Sequence, residues 1–187
     1  MNKNSSQRNK NSEKNNEFLE SAISDLAGNL SLVDTKISII LATIGVILGL
    51  VVACKSNILK AYCYYAQSDL MKVIFILLVI AYVSSVVLSF VFGIKCIMIR
   101  FGKSNKKSLW FFKTEKFGGI SEKDYLKDIR ALTDEDVTRN LAIEVYKLND
   151  INNSKMKDGK KTIVFFSISC MIIAIIMILV GLFYLFA

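Results

Sequence analysis

The sequence predicts an all-α membrane protein, with three transmembrane helices and a compact cytoplasmic helical layer. Three observations lead there. Ile37–Cys54, Val73–Ile94 and Thr162–Ala187 are uncharged apolar runs of at least eighteen residues, and eighteen helical residues reach about 27 Å, close to a bilayer's hydrocarbon thickness. A helix that is apolar on every side is stable only when buried in protein or lipid. The 187-residue chain is also 53% hydrophobic, high for a soluble domain, and it has no proline to interrupt a long helix.

Residues 1–16, MNKNSSQRNKNSEKNN, hold six asparagines and almost nothing apolar, a composition that predicts a disordered tail. From Glu17 the pattern changes. Phe18, Ala22, Ile23, Leu26, Leu30 and Val33 fall at helical spacing, which predicts an amphipathic helix over 17–36 with Glu17 and Glu20 in its first turn. This helix is expected to run into the first span, 37–54, with little or no break. Because 36 mostly polar residues precede that span, a signal peptide is not expected. Residues 55–72 read as a short outer loop, too small for a binding domain. Cys54 and Cys63 flank it, either as a disulfide in an oxidising space or as small apolar filler. The second span is 73–94.

The cytoplasmic helical segment is 95–161. Lys95 and Arg100 stand where long cations snorkel to the headgroups. Trp110, Phe111 and Phe112 then cluster as an interfacial anchor, a stacking surface for a base, or a docking face for another helix. Gly118-Gly119 breaks the chain. Ser121-Glu-Lys-Asp124 predicts a capping-box variant opening a short helix to about Ala131, and Thr133-Asp-Glu-Asp136 opens another. The second helix carries Val137, Leu141, Val145, Leu148 and Ile151 at spacings of three and four. It is expected to continue through Met156 into the last span, 162–187. The helices 17–36 and 134–157 become natural partners, and movement in their layer would pass to the spans without a flexible linker.

Orientation follows from charge. Residues 1–36 carry five lysines and arginines, 55–72 carry three and 95–161 carry sixteen. Three spans put the first and last of these segments on one side, and the positive-inside rule makes that side the cytoplasm. The C-terminus is then expected at the outer face. Segment 95–161 sets ten acids against its sixteen bases. The surplus suits anionic headgroups or an anionic ligand.

Small residues recur four apart within the spans: Gly45, Gly49 and Ala53 in the first, Ala81, Ser85, Ser89 and Gly93 in the second. Such stripes let helix backbones approach closely in lipid, within one chain or between copies. No span holds an interior acid, lysine or arginine, which disfavours an ion-coupled transporter. The chain has no histidine, no glycine-rich phosphate loop, no nucleophile elbow and no metal-ligand spacing. It is expected not to be an enzyme, to need no cofactor or metal, and to bind no nucleic acid.

Three stretches resemble the Pycsar transmembrane effectors. VDTKISIILATIGVIL, Val33–Leu48, is similar to the opening of that family, an Asp-x-Lys at the headgroups followed by a span with small residues. Leu109–Ile151 resembles its aromatic-then-helical region, and NDINNSKMKDGKKTIVFF, entering the last span, also fits. The resemblance covers residues 30–187. It implies a bacterial antiphage role in the inner membrane, where a partner cyclase makes cyclic CMP or cyclic UMP, the effector impairs membrane integrity, and the cell dies before phage matures. The chain departs from the family's pattern in showing no β-rich cyclic-nucleotide domain, so any nucleotide must be received by the helical segment. Candidate ligand residues are Trp110, Phe111, Phe112 and Tyr125 for stacking, with Lys113 and Lys116 for the phosphate. Asp34 and Lys36 are candidate coupling residues, or ordinary helix-end charges. Gly45, Gly49, Ala81, Ser85 and Ser89 are candidates for helix packing and for a homo-oligomer. A holin-like pore timed by accumulation and a passive scaffold subunit remain as alternatives.

Overall fold

Long runs of helix-forming residues without proline set the architecture. A computed structural model describes residues 3–98 and 120–186. The described residues form five helices and no β-strand: α1 (Lys3–Ala53), α2 (Lys55–Tyr65), α3 (Asp69–Ile97), α4 (Glu122–Arg130) and α5 (Asp134–Phe186). Three of them, α1, α3 and α5, are long and apolar enough to cross a membrane. Their outward faces expose large apolar side chains, among them Leu50, Leu77, Ile80, Ile178 and Leu185. Apolar surface on this scale needs lipid around it. The chain is an all-α membrane protein.

α1 is 51 residues long and starts at Lys3, where the composition predicts a disordered tail. Residues 3–16 contain neither glycine nor proline. Adding turns to an existing helix avoids the cost of nucleating one, so a polar stretch attached to a long helix can stay helical. Glu17 and Glu20 consequently lie in the helix interior and not in its first turn. α1 then continues through Asp34 to Ala53 without interruption.

The 55–72 segment also differs from the loop expected there. It contains the eleven-residue helix α2, set off from α1 at Cys54, which has φ −86° and ψ 4°. Aromatic side chains explain its order. Tyr62 packs against Phe75 of α3 with ring centroids 5.6 Å apart. Tyr64 packs against Phe183 of α5 at 5.3 Å, and the Tyr65 hydroxyl donates to the Leu179 carbonyl at 3.1 Å. Tyr184 of α5 in turn donates to Asn57 Oδ1 at 2.8 Å. Tyrosines with an apolar ring and a polar tip suit this end of a membrane bundle. Cys54 and Cys63 are both free thiols.

α4 and α5 open on the caps expected from their sequences. Ser121 Oγ accepts from the Asp124 amide at 3.2 Å. At α5, Thr133 Oγ1 accepts from the Asp136 amide, and the Asp136 carboxylate accepts from the Thr133 amide, both at 3.3 Å. These reciprocal bonds satisfy two helix-end donors. The Thr133 hydroxyl, followed by its amide, holds the Asp136 carboxyl below the usual carboxylate range. A carboxyl whose folded pKa is depressed stabilises the fold above its unfolded pKa, and that contribution is lost as pH falls through the folded value. We therefore expect the amide protection factors at 134–138, relative to the intrinsic exchange rate at each pH, to fall on acidification, and Thr133→Ala to quicken exchange there about fivefold at neutral pH. An exchange rate in the variant that matches the parent would remove the cap from this account.

The chain divides into two units. The first comprises α1 up to Leu32, α4, and α5 up to Ser154. Within it, Thr138 of α5 donates to Asn16 Oδ1 of α1 at 2.6 Å, and Leu141 is 1% exposed. Val137, Val145, Leu148 and Ile151 are partly buried, as are Ala22, Ile23, Leu26 and Leu30 of α1. Phe18, expected on the same apolar face, is exposed. The second unit comprises α1 from Val33, α2, α3, and α5 from Lys155. Its core is Ile44, Tyr82 and Val86, packed by Ile40, Leu41 and Val51 of α1 and Phe166, Ile172 and Ile173 of α5.

Candidate functional site

At one end of the second unit, α1, α3 and α5 meet in a junction of small and polar residues. α1 brings Asp34, Ile37 and Leu41, α3 brings Ser89, Gly93 and Cys96, and α5 brings Lys155, Gly159 and Thr162. Each set repeats at three or four residues, so each lies along one helix face. Glycine at 93 and 159 sets the closeness. A Cβ at Gly93 would lie 2.8 Å from Leu41 Cδ2 and 3.4 Å from Thr162 Cγ2, and one at Gly159 would lie 3.5 Å from Cys96 Sγ. The backbones therefore pack as close as small residues allow in a lipid-embedded bundle.

Polar contacts tie the same junction. Lys155 Nζ donates to both carboxylate oxygens of Asp34, at 2.6 and 2.7 Å. The Lys155 side chain is 9% exposed and that of Asp34 38%. A buried ammonium is costly unless paired, so the carboxylate holds α1 and α5 in this register. One turn further, Cys96 Sγ donates to the Lys155 carbonyl at 3.3 Å. Ser89 Oγ donates to the Thr162 carbonyl at 3.1 Å, and Thr162 Oγ1 returns to Asp158 of its own helix. Asp34 is the counter-charge of the largely buried Lys155 ammonium. A change that separates α1 from α5 would leave that ammonium without its counter-charge. This is what a two-state element requires.

Asp34 thus stands in the junction, whereas Lys36, singled out with it, is exposed. The sequence signal for the partner was weak, because Lys155 lies in NNSKMKDGKK, a stretch that reads as solvated. Ser85 and Ser89 are buried and Ala81 is exposed. A Cβ at Gly45 or Gly49 would meet nothing within 4 Å, so these two glycines do not pack against another helix among the described residues. Tyr125 is partly buried on α4. Trp110, Phe111, Phe112, Lys113 and Lys116 lie outside the described residues. The first unit adds charges that sequence reading missed. Glu144 and Lys147 are buried one turn apart, 3.8 Å from each other. Asn152 is 8% exposed, and its Oδ1 has no hydrogen-bond partner among the described residues. Leu141, Glu144 and Leu148 recur at three and four residues, and that spacing was the available signal.

The Pycsar effector protein domain matches residues 18–186, nearly the whole chain. The chain belongs to the Pycsar effector family. Neither the curated proteins nor the solved structures give a match. As a Pycsar effector the protein has an antiphage role, and its three apolar helices make it a membrane effector. The match opens in the helical turns before Asp34 and ends with α5, so every residue of the junction falls inside the family domain.

Proposed function

We propose that this effector responds to a cyclic pyrimidine nucleotide, cyclic CMP or cyclic UMP, made by a partner cyclase, and then impairs the integrity of the inner membrane so that the infected cell dies. The match over residues 18–186 carries this reading. Orientation is part of the proposal: 21 of the 24 lysines and arginines flank the spans on one side, which favours a cytoplasmic N-terminus and helical layer and an outer C-terminus. The nucleotide is received in the cytoplasmic segment, with Trp110, Phe111, Phe112 or Tyr125 stacking the base and Lys113 or Lys116 meeting the phosphate. No bond is made or broken by the effector, so it is not an enzyme.

Transmission runs through α5. That helix extends unbroken from Asp134 to Phe186, and Asp34–Lys155 is the contact that a displacement of its first half would strain. Membrane damage then needs several copies, packed through the open Gly45/Gly49 face of α1. Cells making the effector together with a pyrimidine cyclase are expected to take up propidium iodide, and cells making either alone are not. Gly49→Leu should leave the thermal unfolding of the chain unchanged and cut dye uptake several-fold. Full uptake in that variant would exclude the stripe from the mechanism, and uptake with the effector alone would favour a holin-like pore.

A further inference from the structure

The seam between α3 and α5 repeats every seven residues. Cys96 Sγ bonds the Lys155 carbonyl and Ser89 Oγ the Thr162 carbonyl, so seven residues back along α3 match seven forward along α5. Positions seven apart share a face on packed helices. The next two layers are therefore Tyr82 with Ser169, and Phe75 with Ile176. All of these side chains are buried. The Lys155 layer lies just before the last apolar run. The other three stand within the spans and cover about 21 Å at roughly 1.5 Å per residue. α1 closes the seam with Ile37, Ile44 and Val51, again seven apart. Every layer is polar except the outermost, where Tyr62 packs on the Phe75 ring.

Serine and threonine at these depths can serve close packing alone. Tyrosine cannot, because it is bulky, and Tyr82 Oη is buried without a hydrogen-bond partner among the described residues. Phenylalanine would fill that place with no polar atom to desolvate. The neighbouring hydroxyls donate to backbone carbonyls, Ser85 to Tyr82 and Ser169 to Phe166. A hydroxyl that donates still has acceptor lone pairs for water. Polar groups turned into the middle of a membrane bundle mark a solute path. We infer that the α3–α5 seam is the path of water and small hydrophilic solutes once α1 moves off it. Ser89, Thr162, Tyr82 and Ser169 form its wetted lining, and Phe75 with Ile176 forms the apolar seal that keeps the resting chain closed. A constriction of this kind excludes water until it widens or becomes polar. The inference rests on the proposed loss of membrane integrity and gives that loss a place within the bundle. Copies joined through Gly45 and Gly49 would draw on the outward face of α1, the helix whose departure opens the seam.

The test is potassium efflux from liposomes holding the purified full chain, read with a potassium electrode and with no nucleotide present. Phe75→Ser/Ile176→Ser should speed efflux about tenfold over the parent, because the seal has become polar. Leu77→Ser/Ile178→Ser, at the same depth but on exposed faces, should leave it at the parental rate. Adding Tyr82→Phe to the leaking variant should slow efflux about threefold, since one wetted layer is lost. Tyr82→Phe alone should raise the unfolding midpoint in a denaturing detergent, because it removes an unbonded buried hydroxyl. If Phe75→Ser/Ile176→Ser loses its helical circular dichroism, Phe75→Ala alone gives the efflux reading. Because no nucleotide is added, a failure of the proposed signal leaves this result unaffected. Parental efflux in the seal variants, equal efflux in the Leu77→Ser/Ile178→Ser pair, or a lower midpoint for Tyr82→Phe would overturn the inference.

Discussion

Asp34→Leu destabilises the protein much more than Lys155→Met, and combining the two recovers most of the loss. The asymmetry follows from exposure. Without Asp34, an ammonium whose side chain is 9% exposed is left in the junction with no counter-charge, a situation that costs about 3 kcal/mol or more. Without Lys155, a carboxylate 38% exposed turns to water, and the loss is about 1–2 kcal/mol for the hydrogen bonds removed. The double variant has no buried charge, and its two apolar side chains fill a similar volume, so it should come within about 1 kcal/mol of the parent. Unfolding in a denaturing detergent, followed by far-UV circular dichroism, measures all three. Equal single costs, or strictly additive ones in the double variant, would show that the pair does not hold the junction. Because the pair also joins α1 to α5, the double variant should stay folded and yet permeabilise membranes at lower nucleotide concentration, or with none.

Gly93→Leu has the second large effect. A Cβ alone would come within 2.8 Å of Leu41 Cδ2 and 3.3 Å of its Cγ. Alanine is accommodated if Leu41 swings its methyl aside. Leucine adds three more carbons with α1 on one side and Thr162 on the other. Overpacking of this kind costs about 1–3 kcal/mol, and relief requires α3 to move away from α1 and α5. That movement lengthens the Ser89–Thr162 hydrogen bond and exposes the Cys96 thiol, which is fully buried in the parent. Gly93→Leu should therefore lower the unfolding midpoint and make Cys96 reactive toward a maleimide, while Gly49→Leu does neither. A Gly93→Leu protein with parental stability and an unreactive Cys96 would contradict the junction geometry.

The three membrane helices were legible because an uncharged run of eighteen or more residues has few structural outcomes. The helix caps at Ser121 and Thr133 were legible for a similar reason, since the capping residues contact only their own first turn. Order imposed by distant partners was harder to see. Residues 3–16 are polar and asparagine-rich, and only their attachment to a long helix makes them part of α1. In α2, Tyr62, Tyr64 and Tyr65 read as loop residues until Phe75, Leu179 and Phe183 are beside them. The candidate site divides the same way. Asp34 stood out from its place at the head of the first span. Its partner 121 residues on lies among lysines that look alike in sequence, and only the fold separates buried Lys155 from exposed Lys157 and Lys160. Gly45, Gly49, Ser85 and Ser89 formed one class in sequence, because a small residue signals close approach without saying to what. The structure separates them into two glycines facing outward and two serines facing the bundle.

Gating by a pyrimidine nucleotide is the central claim, and dye release from liposomes tests it most directly. The purified effector is reconstituted into vesicles loaded with a self-quenching dye, and cyclic CMP, cyclic UMP and cyclic AMP are added separately at micromolar concentration. The account predicts release with a pyrimidine ring and none with cyclic AMP or with no addition. Release before any nucleotide is added, or the same release with all three, would contradict it.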